Sequence, residues 1–227
     1  MLVSITMSTP IREFANEEYY HVYNRGADKR DIFLDEYDLK RFIQAMQEFN
    51  TTEPTGGIYL NSFPKNNLQL RPLGSKLVEI IAYCLNPNHF HILLKQSSDN
   101  GISLFMSKLG GYSKYFNLKN KRTGTLFQGT FKAKHISDNE YLLNLSAYIN
   151  LNDTIHQLGP LGSKLVERSS WAEYINPGKK ELCTKDIILK QFQNPNDYRK
   201  FAESVASEFI QHKKDIKDAD NLTIEVI

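Results

Sequence analysis

From Lys76 to Lys95 the chain reads KLVEIIAYCLNPNHFHILLK, two apolar runs rich in β-branched residues on either side of Pro-Asn. Proline presets its φ angle and asparagine tolerates tight-turn geometry, so the pattern predicts two strands joined by a turn at Pro87-Asn88. Side chains alternate between the faces of a strand. His89, His91 and Leu93 therefore point one way and Phe90, Ile92 and Leu94 the other, with the two imidazoles about 6.5–7 Å apart along the strand. That spacing suits two ligands of one metal ion; it also suits two histidines on a solvated face or hydrogen-bonded within the core.

The rest of the chain supplies elements to pack on this hairpin. EEYYHVYNRG (17–26) reads as a strand that stops at Gly26, and DEYDLKRFIQAMQEF (35–49) as an amphipathic helix with apolar residues near a 3.6 period. Residues 50–74 form a polar stretch around a short strand GIYLNSF. SLFMSKLGGYSKYFNLKN (103–120) reads as a helix interrupted near Gly110-Gly111, and TFKAKHI (130–136) as a last strand. SDNEYLLNLSAYINLN (137–152) is a helix for which Ser137 and Glu140 form a capping-box signature. The order β-α-β-β-α-β-α implies an α+β fold, a mainly antiparallel sheet with helices packed on it. The boundary falls at residues 158/159: a core over 1–158, then a small helical C-terminal appendage over 159–227 whose acidic, polar tail from Asp215 is expected to be loose.

Composition narrows the setting. The chain has 227 residues and two cysteines, Cys84 and Cys183, without metal-type spacing, which fits a reducing, cytoplasmic compartment. No apolar run approaches the roughly 20 residues of a membrane span. The net charge is only +2, but no acidic residue stands between Asp99 and Asp138, a window that holds Lys108, Lys114, Lys119, Lys121, Arg122, Lys132 and Lys134. A basic segment in a nearly neutral protein is the footprint of a phosphate-backbone contact or of a solvated basic face. The octapeptide PLGSKLVE occurs twice, at 72–79 and 160–167. Its recurrence suggests a repeated DNA element translated in frame at two loop positions, where insertions are tolerated.

A two-histidine site needs further groups. Tyr148 has Asn152 four residues on, which places both on one face of the predicted helix; no other tyrosine on a predicted helix has an oxygen ligand at that offset. A tyrosine beside an amide, held over two histidines, suits a nucleophile next to a hard cation, or simply an amphipathic side chain at a helix–sheet boundary.

NHFHILL is a His-hydrophobic-His (HUH) motif, and AYCLNPNHFHILL resembles the single-tyrosine HUH transposases, closest to their REP-associated tyrosine transposase branch. The likeness continues through YYHVYNRG, KRTGTLFQGTFKAKHI and YLLNLSAYINLN, and covers residues 19–152. The resemblance implies a ferredoxin-like nuclease core, with His89 and His91 as metal ligands, Tyr148 as nucleophile and Asn152 as the amide-type third ligand. It implies Mg²⁺ or Mn²⁺ as cofactor and cleavage of single-stranded or hairpin DNA through a 5′-phosphotyrosine. DNA contacts are expected from Tyr115, Lys119, Lys121, Arg122, Phe127, Lys132 and Lys134, with the aromatics as stacking platforms. Relatives occur as dimers that exchange the tyrosine helix or as monomers; the short link between KAKHI and the Tyr148 helix fits assembly within one chain. Two departures stand out: Asn86 occupies a position where methionine is common, and Asp153 replaces the proline that usually follows the asparagine. Three other readings remain open: a rolling-circle replication initiator, a DNA-hairpin-binding regulator without catalysis, and a metal-dependent hydrolase that uses water. His21 and His135 are taken as structural.

Overall fold

A computed structural model of the chain describes residues 13–56, 74–158, 167–176, 178 and 182–224. The expected GIYLNSF strand and most of the second PLGSKLVE copy lie outside these residues.

The hairpin forms as its sequence predicts. Strand β2 (Val78–Asn86) and strand β3 (His89–Gln96) pair antiparallel, and Asn86 faces His89 across the Pro87-Asn88 turn. Strand β1 (Tyr19–Arg25) pairs with the other edge of β3, and β4 (Lys132–Ile136) with the other edge of β1. The sheet order is β2-β3-β1-β4, antiparallel throughout, which is the ferredoxin-like arrangement.

The two sheet faces carry separate cores. Tyr20, Val22, Val78, Ile80, Phe90, Ile92 and Leu94 face one layer. That layer contains helix α1 (Glu36–Glu48), helix α2 (Gly101–Gly110) and helix α3 (Tyr112–Lys119). The break between α2 and α3 falls at Gly110-Gly111, as read from the sequence. Ile81, Ala82, Cys84 and Leu93 face the second layer. Here lie helix α4 (Asn139–Asn150) and helix α5 (Asn152–Ile155). Helix α6 (Trp171–Ile175), helix α7 (Asp186–Leu189) and helix α8 (Pro195–Ile224) complete it.

A register shift between Ile80 and Ala82 marks a β-bulge, so Ile81 and Ala82 both face the second layer. Beyond it the alternation of β2 is inverted, and Asn86 joins the same face as Cys84 and the two histidines. Without the extra residue Asn86 would face the opposite core.

Two expectations are revised. The cap of α4 is Asp138, whose side chain accepts from the Tyr141 amide at 2.7 Å, and not Ser137; a carboxylate one residue closer reaches the orphan amide directly. The first PLGSKLVE copy is not a loop insertion, because its Leu77 is fully buried and its Val78 and Glu79 begin β2. Beyond residue 158, helices α6, α7 and α8 pack into the second layer, where Tyr174, Ile188, Tyr198 and Ala202 are buried against α4 and β2; α8 runs to Ile224.

Gly101, the first residue of α2, is in tight contact with the lead-in to β2: a Cβ there would lie 2.1 Å from the Leu77 carbonyl oxygen. Gly101→Ala is expected to destabilise the fold by about 1–3 kcal/mol, read as a lower urea midpoint with an unchanged slope. An unaltered midpoint would show that the α2–β2 junction yields freely.

Candidate functional site

The second face of β3 carries His89, His91, Leu93 and Lys95, as alternation requires. The His89 and His91 rings lie 5.1 Å apart at 89°. On the neighbouring strand, Tyr23 is opposite His91, and His21 is opposite Leu93. His21 Nε2 is 2.9 Å from His91 Nδ1. One ring donates and the other accepts, which fixes the orientation of His91 as a carboxylate or carbonyl does behind a metal-bound imidazole. Taken as structural from the sequence, His21 thus acts directly on one of the two candidate ligands.

Burial, above all, keeps these rings neutral. It lowers His21 to about 4, with Lys134 adding to the effect. It lowers His89 to about 4, helped by His156 and Arg25, and His91 to about 2, helped by His21 and His89. Neutral imidazole is the form that binds a metal ion.

Helix α4 lays Tyr148 across this surface. Its half-buried ring is 5.9 Å from that of His91 at 79°, within the same chain. Tyr23 is equally near, its ring 5.9 Å from His91 and closer to parallel at 27°. The predicted helix does not run unbroken from Tyr148 to Asn152: α4 ends at Asn150, Leu151 leaves helical geometry (φ −109°, ψ 17°), and Asn152 opens α5. Asn152 is nevertheless fully buried beside the histidines. Asp153, where a proline was expected, accepts from the Thr154 amide at 2.8 Å and stays within this helix start.

Asn86 connects the two halves. Its Nδ2 donates to Asn152 Oδ1 at 2.6 Å and lies 2.9 Å from His89 Nε2. His89 Nδ1 faces Asn88 Oδ1 at 2.6 Å, so the proton sits on Nδ1 and Nε2 presents its lone pair to Asn86. Asn152 Nδ2 is buried without a hydrogen-bond partner. Two neutral imidazoles and an amide oxygen make a mixed nitrogen–oxygen donor set that fits a divalent cation, and a cation bound at His89 Nε2 and Asn152 Oδ1 must displace the Asn86 amide. Among the described residues no three His, Cys, Asp or Glu side chains converge as a metal site, so the set depends on that amide oxygen. The sequence reading gave no site role to Asn86, noted only as a departure from the family pattern, to His156 (ring 5.8 Å from His89) or to Tyr23.

The residues expected to touch DNA divide between the two faces. Lys132 and Lys134 pair with Tyr23 and His21, so they share the histidine face, where Lys134 lies 4.5 Å over the Tyr141 ring. Tyr115 and Phe127 pack against the opposite core. Lys119 is held there by Asp35 at 2.8 Å and by the buried Asp38 at 2.7 Å. Arg122 lies over the Phe116 ring, next to the exposed Lys121. The structure therefore does not bring these five residues to the histidines.

Because the three histidines take up protons less readily when folded, the unfolded chain binds protons first as pH falls below 6.5. Stability of the metal-free chain is thus expected to be full above pH 6.5 and to fall as pH drops toward 4. Urea midpoints in chelator at pH 7.5, 6 and 5 check this, with a smaller decline expected for His91→Gln; a flat profile would contradict the burial of neutral imidazoles.

Two comparisons with known proteins return matches. The family model described as "Transposase IS200 like" matches residues 72–152. A solved REP-associated tyrosine transposase, bound to a REP hairpin, is similar over 78% of this chain and 90% of its own, at 16% identity and a TM-score of 0.47. No curated protein matches the chain significantly. The matched segment, residues 72–152, holds both histidines, Tyr148 and Asn152, and over it the chain is similar to the IS200-like transposases.

Proposed function

We propose that the protein is a metal-dependent tyrosine transesterase of single-stranded, hairpin-bearing DNA, with Tyr148 as nucleophile and His89, His91 and Asn152 as ligands of Mg²⁺ or Mn²⁺. The observation that carries this reading is the convergence of two neutral imidazoles, a buried amide and a tyrosine ring on one sheet face. When bound, the cation would polarise a non-bridging oxygen of the scissile phosphate.

The chain's own groups do the rest. Tyr148 Oη attacks phosphorus; its O–P bond forms while the bond from phosphorus to the 3′ oxygen breaks, and the phenol proton ends on the departing 3′-OH. The ester energy stays in the phosphotyrosine, so a 3′-OH can reverse the step and join strands. His21 holds His91 in place. Lys132 and Lys134, on the same face, meet the phosphate backbone, whereas Tyr115, Lys119, Lys121, Arg122 and Phe127 would contact DNA only if the hairpin reaches the opposite face.

A second reading makes Tyr23 the nucleophile, because its ring is as close to His91 as that of Tyr148. Tyr148 is favoured because the segment that carries it runs directly on, through the helix end at Leu151, to the buried Asn152.

The test is covalent trapping with labelled single-stranded DNA containing hairpins from the gene's own flanks, in Mn²⁺. An adduct that survives denaturing electrophoresis and is lost in Tyr148→Phe is expected. Cleavage without an adduct, unaffected by the substitution, would point to a water-using hydrolase; hairpin binding without cleavage would point to a regulator.

A further inference from the structure

The inner face of α8 changes character along its length. Tyr198, Ala202, Val205 and Ala206 follow helical spacing and are 0–7% exposed against α4 and its neighbours. Tyr198 bonds to Ser146 Oγ at 3.1 Å and accepts from Asn150 Nδ2 at 2.8 Å. These two residues flank Tyr148 on α4, so the extension fixes the helix that carries the candidate nucleophile.

One turn further on, the stripe reaches Phe209. It is 40% exposed, and its ring lies 4.8 Å from that of Tyr148. Four residues later the same face presents Lys213, whose Nζ is 3.3 Å from both ring nitrogens of His156. His156 in turn stands beside His89. Where the stripe leaves the core and meets the site, it turns from apolar to aromatic and then cationic. Packing alone does not call for a large half-open aromatic and a lysine there. The candidate site does, because an aromatic ring can brace the Tyr148 ring and a cation neutralises a phosphate.

We infer that α8 is a working wall of the active site, in which Phe209 is the positioning residue for Tyr148 and Lys213 binds a phosphate of the single strand beside the His89–His156 edge. Arg25, which acts electrostatically on His89, His91 and His156, faces the same edge from β1. The two cations would grip the backbone on either side of the histidine pair. This inference rests on the proposed transesterase reading and adds to it the two residues of the C-terminal extension.

Two measurements test it. In a Tyr148→Phe background, which cannot form an adduct, affinity for a labelled hairpin with a single-stranded flank is measured across a salt series. Lys213→Met is expected to weaken binding and to reduce the slope of log affinity against log salt by about 0.7, the contribution of one phosphate on a single strand. Lys213→Arg is expected to restore both, and a Lys213→Met slope equal to that of the Tyr148→Phe parent overturns the phosphate role. With the tyrosine in place, Phe209→Ala is expected to slow single-turnover adduct formation about tenfold to a hundredfold. DNA affinity and melting temperature should stay unchanged, with rescue by Phe209→Leu. An unaltered or faster rate overturns the positioning role. If the unsubstituted chain binds the hairpin yet forms no adduct, the transesterase reading fails, and the salt series still decides on Lys213.

Discussion

The pairing of β3 in the centre of the sheet is the constraint from which the site follows. β3 carries both histidines, and each of its edges delivers one partner. β1 brings His21 against His91, and β2 brings Asn86 against His89. The first contact depends on the β1–β3 register, since a shift of one residue would turn His21 and Tyr23 to the opposite core. The second depends on the bulge at Ile81, which inverts β2 just before Asn86. Each device costs the sheet something locally, and together they converge five polar side chains on one patch of the sheet.

The helices above that face do more than cover it. The end of α4 is tied down by side chains of the C-terminal extension: Ser169 donates to the Asn150 carbonyl at 2.8 Å and Ser170 to Asn150 Oδ1 at 2.5 Å. A helix held at its C-terminus by buried hydrogen bonds cannot fray there, and unsatisfied buried partners are expensive. Tyr148 and Asn152 sit on either side of that anchor. The extension therefore bears on the geometry of the site even though it lies outside the segment that matches the transposase family.

Much of this was legible from local periodicity. Strand alternation correctly put His89 and His91 on one face. The Pro87-Asn88 turn, the break at Gly110-Gly111 and the antiparallel α+β sheet all followed from short-range rules. The four-residue offset predicted Tyr148 and Asn152 on one helix face, but a helix end, invisible to a periodic pattern, falls between them. What local rules could not supply was pairing at a distance. His21 lies 70 residues from His91 and becomes relevant only once β1 is known to adjoin β3. Asn86 needs the bulge, and nothing in KLVEIIAYCLN distinguishes a bulged strand from a regular one. Lys119 looked like a phosphate contact because its carboxylate partners, Asp35 and the buried Asp38, come from a helix more than 80 residues earlier.

Tyr148 and Tyr23 stand at the same ring distance from His91, so the identity of the attacking oxygen is the point on which the account turns. Peptide mapping of the trapped protein–DNA adduct by mass spectrometry, after digestion of both chain and strand, reads it directly. The account predicts a single modified peptide carrying a 5′-phosphate-linked nucleotide on Tyr148. A nucleotide on Tyr23, or a link through the 3′ end of the strand, would contradict it.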